Sequence, residues 1–491
     1  MLRSWNLNLS IAQTSGVSVY LQIAQQIMDE IQKGRLTPST AMPGTRELAE
    51  QLKVNRKTIV LAYDELIAQG WLSTQSRRGT FVSADLPRFT VATANKKTIS
   101  SKANAYLPPS NATLTITDYH PAAQQIIDFN DGIPDTRLIP FEILSRAFRH
   151  ALLSPAKNNR LGYGDPKGVL ALRQAIVTML NLERGLSIDI EQICIARGSQ
   201  MGIFLAARAL IKPNDYVVVE NQSYPPAREA FRTCGAKILT VGLDKHGIDV
   251  KALEKLCKKQ AIRAIYVTPH HQFPTTVMMT AERRLKLLML AEQYNFFIVE
   301  DDYDHEFHFS HHPVLPLAST NHQNRVIYVG SLSKVLAPGL RIGYLVASKE
   351  FIQQCANEVM IIDRQGNSIT ELAVAELMTS GEIKRHIRRT FKIYNERRNL
   401  LIELIHTHLS EFVHFDAPSG GLAIWLCLNE HIDINKLITA TLLEQVRILP
   451  GSTFSESADN IPAIRLGFGS LNIHELETGI LRLKKAFINQ Q

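Results

Sequence analysis

The chain has 491 residues, 45% of them apolar and 20% charged, with a formal net charge of +8. This composition describes a soluble globular protein with room for two or more domains; no apolar run reaches membrane-spanning length, and the opening residues MLRSWNLNLS hold no apolar core of signal-peptide length. Cys194, Cys234, Cys257, Cys355 and Cys427 are scattered and form no Cys-x-x-Cys pair, so reduced thiols in a cytoplasmic protein are expected, and the positive charge points to an anionic partner.

Residues Val19 to Val82 read as a unit. Tyr20, Ile23, Ile27 and Ile31 recur at helical spacing up to Gly34. A short second helix, Thr45 to Leu52, follows Pro43, and a third runs from Arg56 to Gln69, with Asn55 placed to cap it and Gly70 to end it. Two short strands, Trp71 to Thr74 and Thr80 to Val82, flank the turn Ser76-Arg77-Arg78-Gly79. The order is helix, helix-turn-helix, β-hairpin wing. Its basic residues stand where a duplex would need them: Arg56 and Lys57 at the amino end of the third helix, which enters a major groove, Arg46 at the start of the second, Arg77 and Arg78 at the wing tip, with Thr58 in reach of a phosphate. The segment QKGRLTPSTAMPGTRELAEQLKVNRKTIVLAYDELIAQGWL resembles the GntR-type winged helix along its length. It departs at Gly44, Asn55 and Lys57. The resemblance implies that residues 1–84 are a domain that binds double-stranded operator DNA.

Residues 85–125 lose periodicity and are rich in Ser, Thr, Ala and Asn, with Pro108-Pro109 and exposed Lys96, Lys97 and Lys102. A linker is expected here. Beyond it, helices such as Pro140 to Leu153 and Val169 to Arg184 alternate with strands such as Tyr216 to Glu220 and Ala264 to Thr268. That alternation predicts an α/β domain, a mainly parallel sheet with helices on both faces. From about Glu350 the chain is helix-rich, then returns to strands at Gly421 to Leu428 and Ile464 to Phe468, as a small carboxyl-terminal α+β part would. The basic runs Lys384 to Arg389 and Lys392 to Arg398 lie on a long helix and read first as a solvated face.

Two stretches carry chemistry. In YVGSLSKVLAPGLRIGY, residues 328–344, Lys334 sits at a strand-to-loop edge beside Ser331 and Ser333, with Arg341 following. Apolar walls and a nearby cation free a lysine amine to attack a carbonyl, which pyridoxal phosphate (PLP) would supply, its phosphate held by the two serines and Arg341. In FFIVEDDYDHEFHF, residues 296–309, an apolar strand delivers Asp301, Asp302 and Tyr303 at its carboxyl end, where open α/β sheets gather ligands. A carboxylate there keeps a pyridine nitrogen protonated, and a phenol stands beside the ring oxygen; Asp301 and Tyr303 suit these roles. The histidines 305, 308, 311 and 312 invite a metal reading, but strand alternation would scatter them over two faces, so no metal is expected.

Together the two stretches resemble the fold type I, class I/II aminotransferases, a likeness that extends over residues 126–491. FNDGIPDTRLIP is similar to the family's entry segment, which implies Gly132 near a substrate carboxylate. GYGDPKG implies that Tyr163 reaches the phosphate of a neighbouring subunit, hence a homodimer. By the same resemblance Gly198, Ser199 and Gln200 cradle the phosphate, Tyr224 stacks on the ring, and Arg465 in IRLGFGS pairs with a carboxylate. Where many members carry Asn-Pro-x-Gly, this chain has Phe273-Pro274-Thr275-Thr276, leaving His271 or Gln272 to replace the asparagine. A GntR-like winged helix joined to such a domain resembles the MocR subfamily of transcriptional regulators. That implies sensing of PLP, an amine or an amino acid through an imine at Lys334. The alternative is a working aminotransferase with a DNA-binding appendage, against which Phe273 and Thr276 speak.

Overall fold

The computed structural model describes residues 9–11, 16–76, 78–86, 126–157, 162–309, 314–320, 325–457 and 460–490. Arg77, His311, His312 and the expected linker from residue 87 to 125 lie outside the described residues. Among those described, no helix is long and apolar enough to cross a membrane, and all five cysteines are unpaired.

The first unit comprises α1 (Val19–Gln32), α2 (Thr45–Gln51) and α3 (Arg56–Ala68), followed by an antiparallel pair, Leu72–Gln75 with Gly79–Val82. The spacing of Ile23, Ile27 and Ile31 buries one face of α1, as an amphipathic helix must. Asn55 caps α3 by accepting from the Lys57 N–H at 2.9 Å, satisfying one of the orphan donors of a helix start. Tyr63 and Trp71 fill the centre, the first donating its hydroxyl to the Pro43 carbonyl at 2.9 Å, the second its indole N–H to Gln69 Oε1 at 3.1 Å. This core does not close on itself. Ala281, Leu285 and Leu315 of the large domain belong to the same buried cluster.

The large domain is built on a seven-stranded sheet in the order Ile193–Ala196, Gly343–Val346, Val326–Ser331, Phe297–Asp302, Ile262–Val267, Tyr216–Glu220, Lys237–Val241. Gly343–Val346 runs antiparallel to both neighbours and the other pairings are parallel. Both faces are covered, which is why its strands read as continuous apolar runs. Val217, Val219, Tyr266 and Val299 pack towards the helices Gly198–Leu210 and Pro225–Thr233, whereas Val218, Ile265 and Ile298 pack towards Val250–Cys257 and Ala281–Tyr294. The period-two alternation therefore continues into the acidic end of Phe297–Asp302: Asp301 points to the first face, Glu300 and Asp302 to the second.

The carboxyl-terminal part wraps Phe129 and the 27-residue helix Glu382–His408 around an antiparallel sheet of Val413–His414, Ala423–Leu428, Ala463–Gly467 and Leu449–Pro450. Most of the basic run on the long helix is the expected solvated face, Lys384, Arg385, Arg388, Arg389 and Lys392 being exposed, while Arg397 turns inward. Arg397 is buried and bonds Asp135 at 2.8 Å and the Gly469 carbonyl at 2.6 Å; Arg389 donates to the Leu138 carbonyl at 2.6 Å, and Lys384 pairs with Glu183.

After the strand Ile262–Val267 the chain turns through Phe273-Pro274, a cis peptide, to Thr276, whose φ is +65°. A β-branched residue in the left-handed region is strained, and glycine adopts that conformation without cost. Thr276→Gly should therefore raise stability by about 1 kcal/mol, the low end of such strain, read as a higher urea midpoint at unchanged slope. A lower midpoint would show that the Thr276 hydroxyl, which donates to the Thr275 carbonyl at 2.6 Å, outweighs the strain.

Candidate functional site

At the carboxyl end of the sheet Asp131, Ser199, Tyr224, Phe273, Tyr303 and Lys334 line a small cavity of about 80 Å³, with Asp301 and Tyr266 in its wall. Lys334 follows Val326–Ser331 and donates its amine to the Gly132 carbonyl at 2.7 Å. Asp301 accepts the Tyr266 hydroxyl at 2.7 Å through Oδ2, while its Oδ1 is buried with no partner. Burial pushes this carboxyl up to about 7, and the Tyr266 hydroxyl and Lys334 draw it back. A buried carboxylate oxygen without a donor is costly unless a cation or N–H docks on it. Tyr303 donates to the His271 carbonyl at 3.2 Å, and burial raises its phenol well above its ordinary range. Burial, with Asp131 adding to it, pushes the Tyr224 phenol up to about 12.

Arg465 is fully buried beneath the cavity. Its guanidinium reaches the Asp131 carbonyl at 3.1 Å and the Pro274 carbonyl, and lies 4.6 Å from the centre of the Phe273 ring. Lys334 and Arg465 thus both donate to the same short segment, 131–132.

The helix Gly198–Leu210 starts beside this cavity, and a helix amino end favours an anion. Gly198 takes φ +77°, and a Cβ there would stand 3.0 Å from the Arg341 guanidinium, so only glycine lets the two approach. The remaining phosphate candidates divide. Ser199 lines the cavity. Ser331 Oγ is turned to the Ser333 N–H at 3.1 Å, and the Ser333 hydroxyl is buried without a partner. Gln200 gives its amide to the Pro226 carbonyl at 2.9 Å, and Arg341 donates to the Arg197 carbonyl at 3.1 Å. Tyr163 is 79% exposed with the Arg364 guanidinium 4.4 Å from its ring centre, outside the cavity of its own chain.

Neither neighbour of Phe273 supplies the missing amide. The Gln272 side chain is saturated by Glu220, the Gln222 and Phe273 carbonyls and Thr275, and both His271 nitrogens are engaged by Asp304 and His308. The ring of Phe273 itself faces the cavity, edge-on to Tyr224 at 5.3 Å.

Several contributors carried no local signal. Tyr266 meets Asp301 only because its strand pairs in a register that sets it opposite Val299, two residues before the acid. Arg184, 118 residues from Asp302 in sequence, binds it at 2.6 Å in the core. His270 and His271 join His308 to make a buried imidazole cluster. The alternation premise fails there because the strand ends at Asp302 and residues 303–309 form a turn.

On the winged helix, Arg46, Arg56 and Lys57 are exposed and Thr58 is half-buried. Arg56 Nε donates to Thr45 Oγ1 at 3.3 Å, tying the starts of α2 and α3 together. Arg78, exposed on the wing, lies 5.9 Å from the centre of the Phe81 ring. The four cations occupy the first turns of two helices and the wing, the surfaces that meet backbone and groove in such domains.

Comparison with known proteins places both halves. Residues 124–483 match the family described as aminotransferase class I and II, and residues 19–82 match the bacterial regulatory proteins of the gntR family. The probable rhizopine catabolism regulatory protein MocR of Rhizobium meliloti is 29% identical over 98% of this chain and 96% of its own. The pyridoxine biosynthesis transcriptional regulator PdxR of Corynebacterium glutamicum is 29% identical, covering 95% of each. A crystal structure of Pyrococcus horikoshii kynurenine aminotransferase superposes with a TM-score of 0.70 at 30% identity over 75% of this chain and 92% of that one. The chain therefore belongs to the class I and II aminotransferase family and carries a gntR-family helix-turn-helix domain at its amino end, the arrangement of the MocR-type regulators.

Proposed function

We propose that this protein binds PLP at Lys334 and that the state of this site sets how its winged helices engage operator DNA in the cytoplasm. The donor set suits the cofactor. Asp301 Oδ1, buried and unpartnered, would accept the protonated ring nitrogen. Tyr224 and Phe273 would hold the ring, Tyr303 would serve its oxygen, and Ser199, the Ser333 hydroxyl and the helix end at Gly198 would donate to the phosphate. PLP supplies an aldehyde that condenses with primary amines and a ring that withdraws electrons once its nitrogen is protonated. Lys334 would hold it until an amine effector displaces the lysine, and Arg465 would anchor a carboxylate on that effector. Tyr163, exposed and stacked on Arg364, would complete the phosphate site of a second copy, so a homodimer is part of the proposal. It would present two winged helices to repeated half-sites.

One observation carries the regulatory reading: the winged helix rests on a segment that is tied to the cofactor strand. Arg184 bonds Asp302, the neighbour of Asp301, and with its other arm the Val314 carbonyl at 2.9 Å. Leu315, next in the chain, is held by Arg284 at 2.8 Å through its carbonyl and packs into the core of the winged helix. A change of charge at Asp301 is thus two linkages from the DNA-binding domain. Against simple turnover stands Phe273, which offers no amide to the ring oxygen.

Borohydride reduction and peptide mapping should find the pyridoxyl group on Lys334; its absence, or its appearance on another lysine, would remove the cofactor reading. Lys334→Ala should still bind operator but lose the response to PLP or amines, a coupling of about 1–3 kcal/mol. Equal operator affinity of the wild type with and without cofactor and every amine tried would leave the aminotransferase reading in its place.

Arg56→Ala should cost about 1–3 kcal/mol of operator binding if it reads a base, whereas Arg78→Ala should weaken binding to all sequences alike and lower the salt slope by about 1. Gel-shift titrations at several salt concentrations separate these outcomes.

Glu65, on α3, is buried against the large domain; burial pushes its carboxyl up to about 7, and the Gln69 amide and the charges of Arg184 and Arg284 draw it back. A carboxyl whose pKa is raised by docking binds more protons docked than free. Docking is therefore strongest below the ordinary carboxylate pKa and weakens as pH rises through about 7, by roughly 3 kcal/mol for a shift of this size. Glu65→Gln should flatten that part of the pH dependence between pH 5 and 8, measured as the difference in unfolding free energy between variant and wild type.

A further inference from the structure

His270, His271 and His308 are all buried, and each offers a nitrogen within 4.8 Å of the others. His271 Nε2 and His308 Nδ1 stand 3.3 Å apart. Two nitrogens at about 2.05 Å from a tetrahedral ion are separated by about 3.3 Å, so this pair already has the spacing of adjacent ligands. Neither nitrogen of His270 has a hydrogen-bond partner, although the residue is only 3% exposed. An imidazole enclosed in that way forfeits both of its bonds, and such a group calls for an occupant that the side chains do not provide.

One further feature fits an ion. Asp304 Oδ1 lies 2.8 Å from His271 Nδ1. A carboxylate behind a ligating imidazole fixes its tautomer and makes the opposite nitrogen a better donor.

We propose that His270, His271 and His308 form a buried site for a divalent transition metal, with Asp304 orienting His271. Three neutral imidazoles without a thiolate select the zinc, nickel, cobalt and copper class over magnesium and calcium. None of the three histidines lines the cavity at Lys334, and the proposal does not depend on the cofactor reading. His305 is not part of it, being placed beside Asp302 at 3.6 Å and Glu306 at 3.3 Å.

The full-length protein, stripped with a chelator and dialysed, would be titrated with Zn2+, its bound metal measured by elemental analysis, and with Co2+, whose visible absorption reports coordination number and ligands. The expected result is about one tightly held equivalent per chain, a four-coordinate Co2+ spectrum and a rise in melting temperature with Zn2+, each with and without PLP. His308→Gln and the double variant His270→Ala/His308→Ala, checked for native circular dichroism, should lose the tight equivalent and the melting shift. The proposal is overturned if the wild type takes up no stoichiometric metal and gives no Co2+ bands, a test that requires no variant to fold. Equal uptake by wild type and double variant, which would place the metal on surface histidines, overturns it as well.

Discussion

The Arg184–Asp302 pair is the contact on which the two halves of this protein depend. Both groups are almost fully removed from solvent, and Asp302 also accepts the Tyr328 hydroxyl at 2.7 Å. Burial alone would raise the Asp302 carboxyl, yet the Arg184 charge beside it holds it below its ordinary value. Breaking such a pair strands a charge in the core at about 3–5 kcal/mol, so neither member is free to move alone. Because strand alternation sends Asp301 to one face and Asp302 to the other, one strand end faces the cofactor cavity in front and the winged helix behind. Arg284, bonded to the carbonyls of Met279, Leu315 and Pro269, and Glu300, which accepts from the N–H groups of Leu317 and Ala318, brace the same segment. A segment held at four points moves as a unit, the property a transmitting element needs.

Much of this was legible in the sequence because the determinants are local. The spacing of Ile23, Ile27 and Ile31, the Asn55 cap and Gly70 give the helices of the amino-terminal unit, and the apolar run that ends at Asp301 gives a buried strand with an acid at its functional end. α3 ends at Ala68, one residue before the predicted Gln69, with Gly70 at φ +75° turning the chain. What was not legible is what pairing register and docking decide. Glu65 looks like an ordinary helix-surface acid until the large domain covers it. Arg184 closes a helix in sequence and an ion pair in space. The placement of the histidines is of the same kind: strand periodicity ends at Asp302, and His308 bridges Gly420 instead of continuing the strand.

The Phe273–Thr276 turn separates what the fold keeps from what its chemistry needs. The backbone holds the turn, with the Thr276 N–H on the Gln272 carbonyl at 2.6 Å and φ positive at the last residue. The side chains change its meaning. A phenyl ring stands where an amide would meet a ring oxygen, and it fills the space over Arg465, where cation and ring attract. Such a pocket retains the means to grip a planar aromatic ligand. An amide at this position would add a donor, and a differential interaction of that kind is what distinguishes catalysis from binding.

Buried acids at the carboxyl end of the sheet, on both of its faces, poise the domain for a cation. Burial raises Asp301 and Glu300 to about 7 and Glu220 and Glu306 to about 8. In each case the folded protein binds a proton that the unfolded chain would have released, so each contributes stability at low pH that fades as pH climbs through its raised value. Near neutral pH these acids are on the edge of ionising in a poorly solvated interior, and any positive group that enters among them is favoured by the acids it lets ionise. A protonated ring nitrogen against Asp301 would be one such group. Through Arg184, which bonds both Asp302 and the Val314 carbonyl, this strand end is tied to the surface on which the winged helix rests.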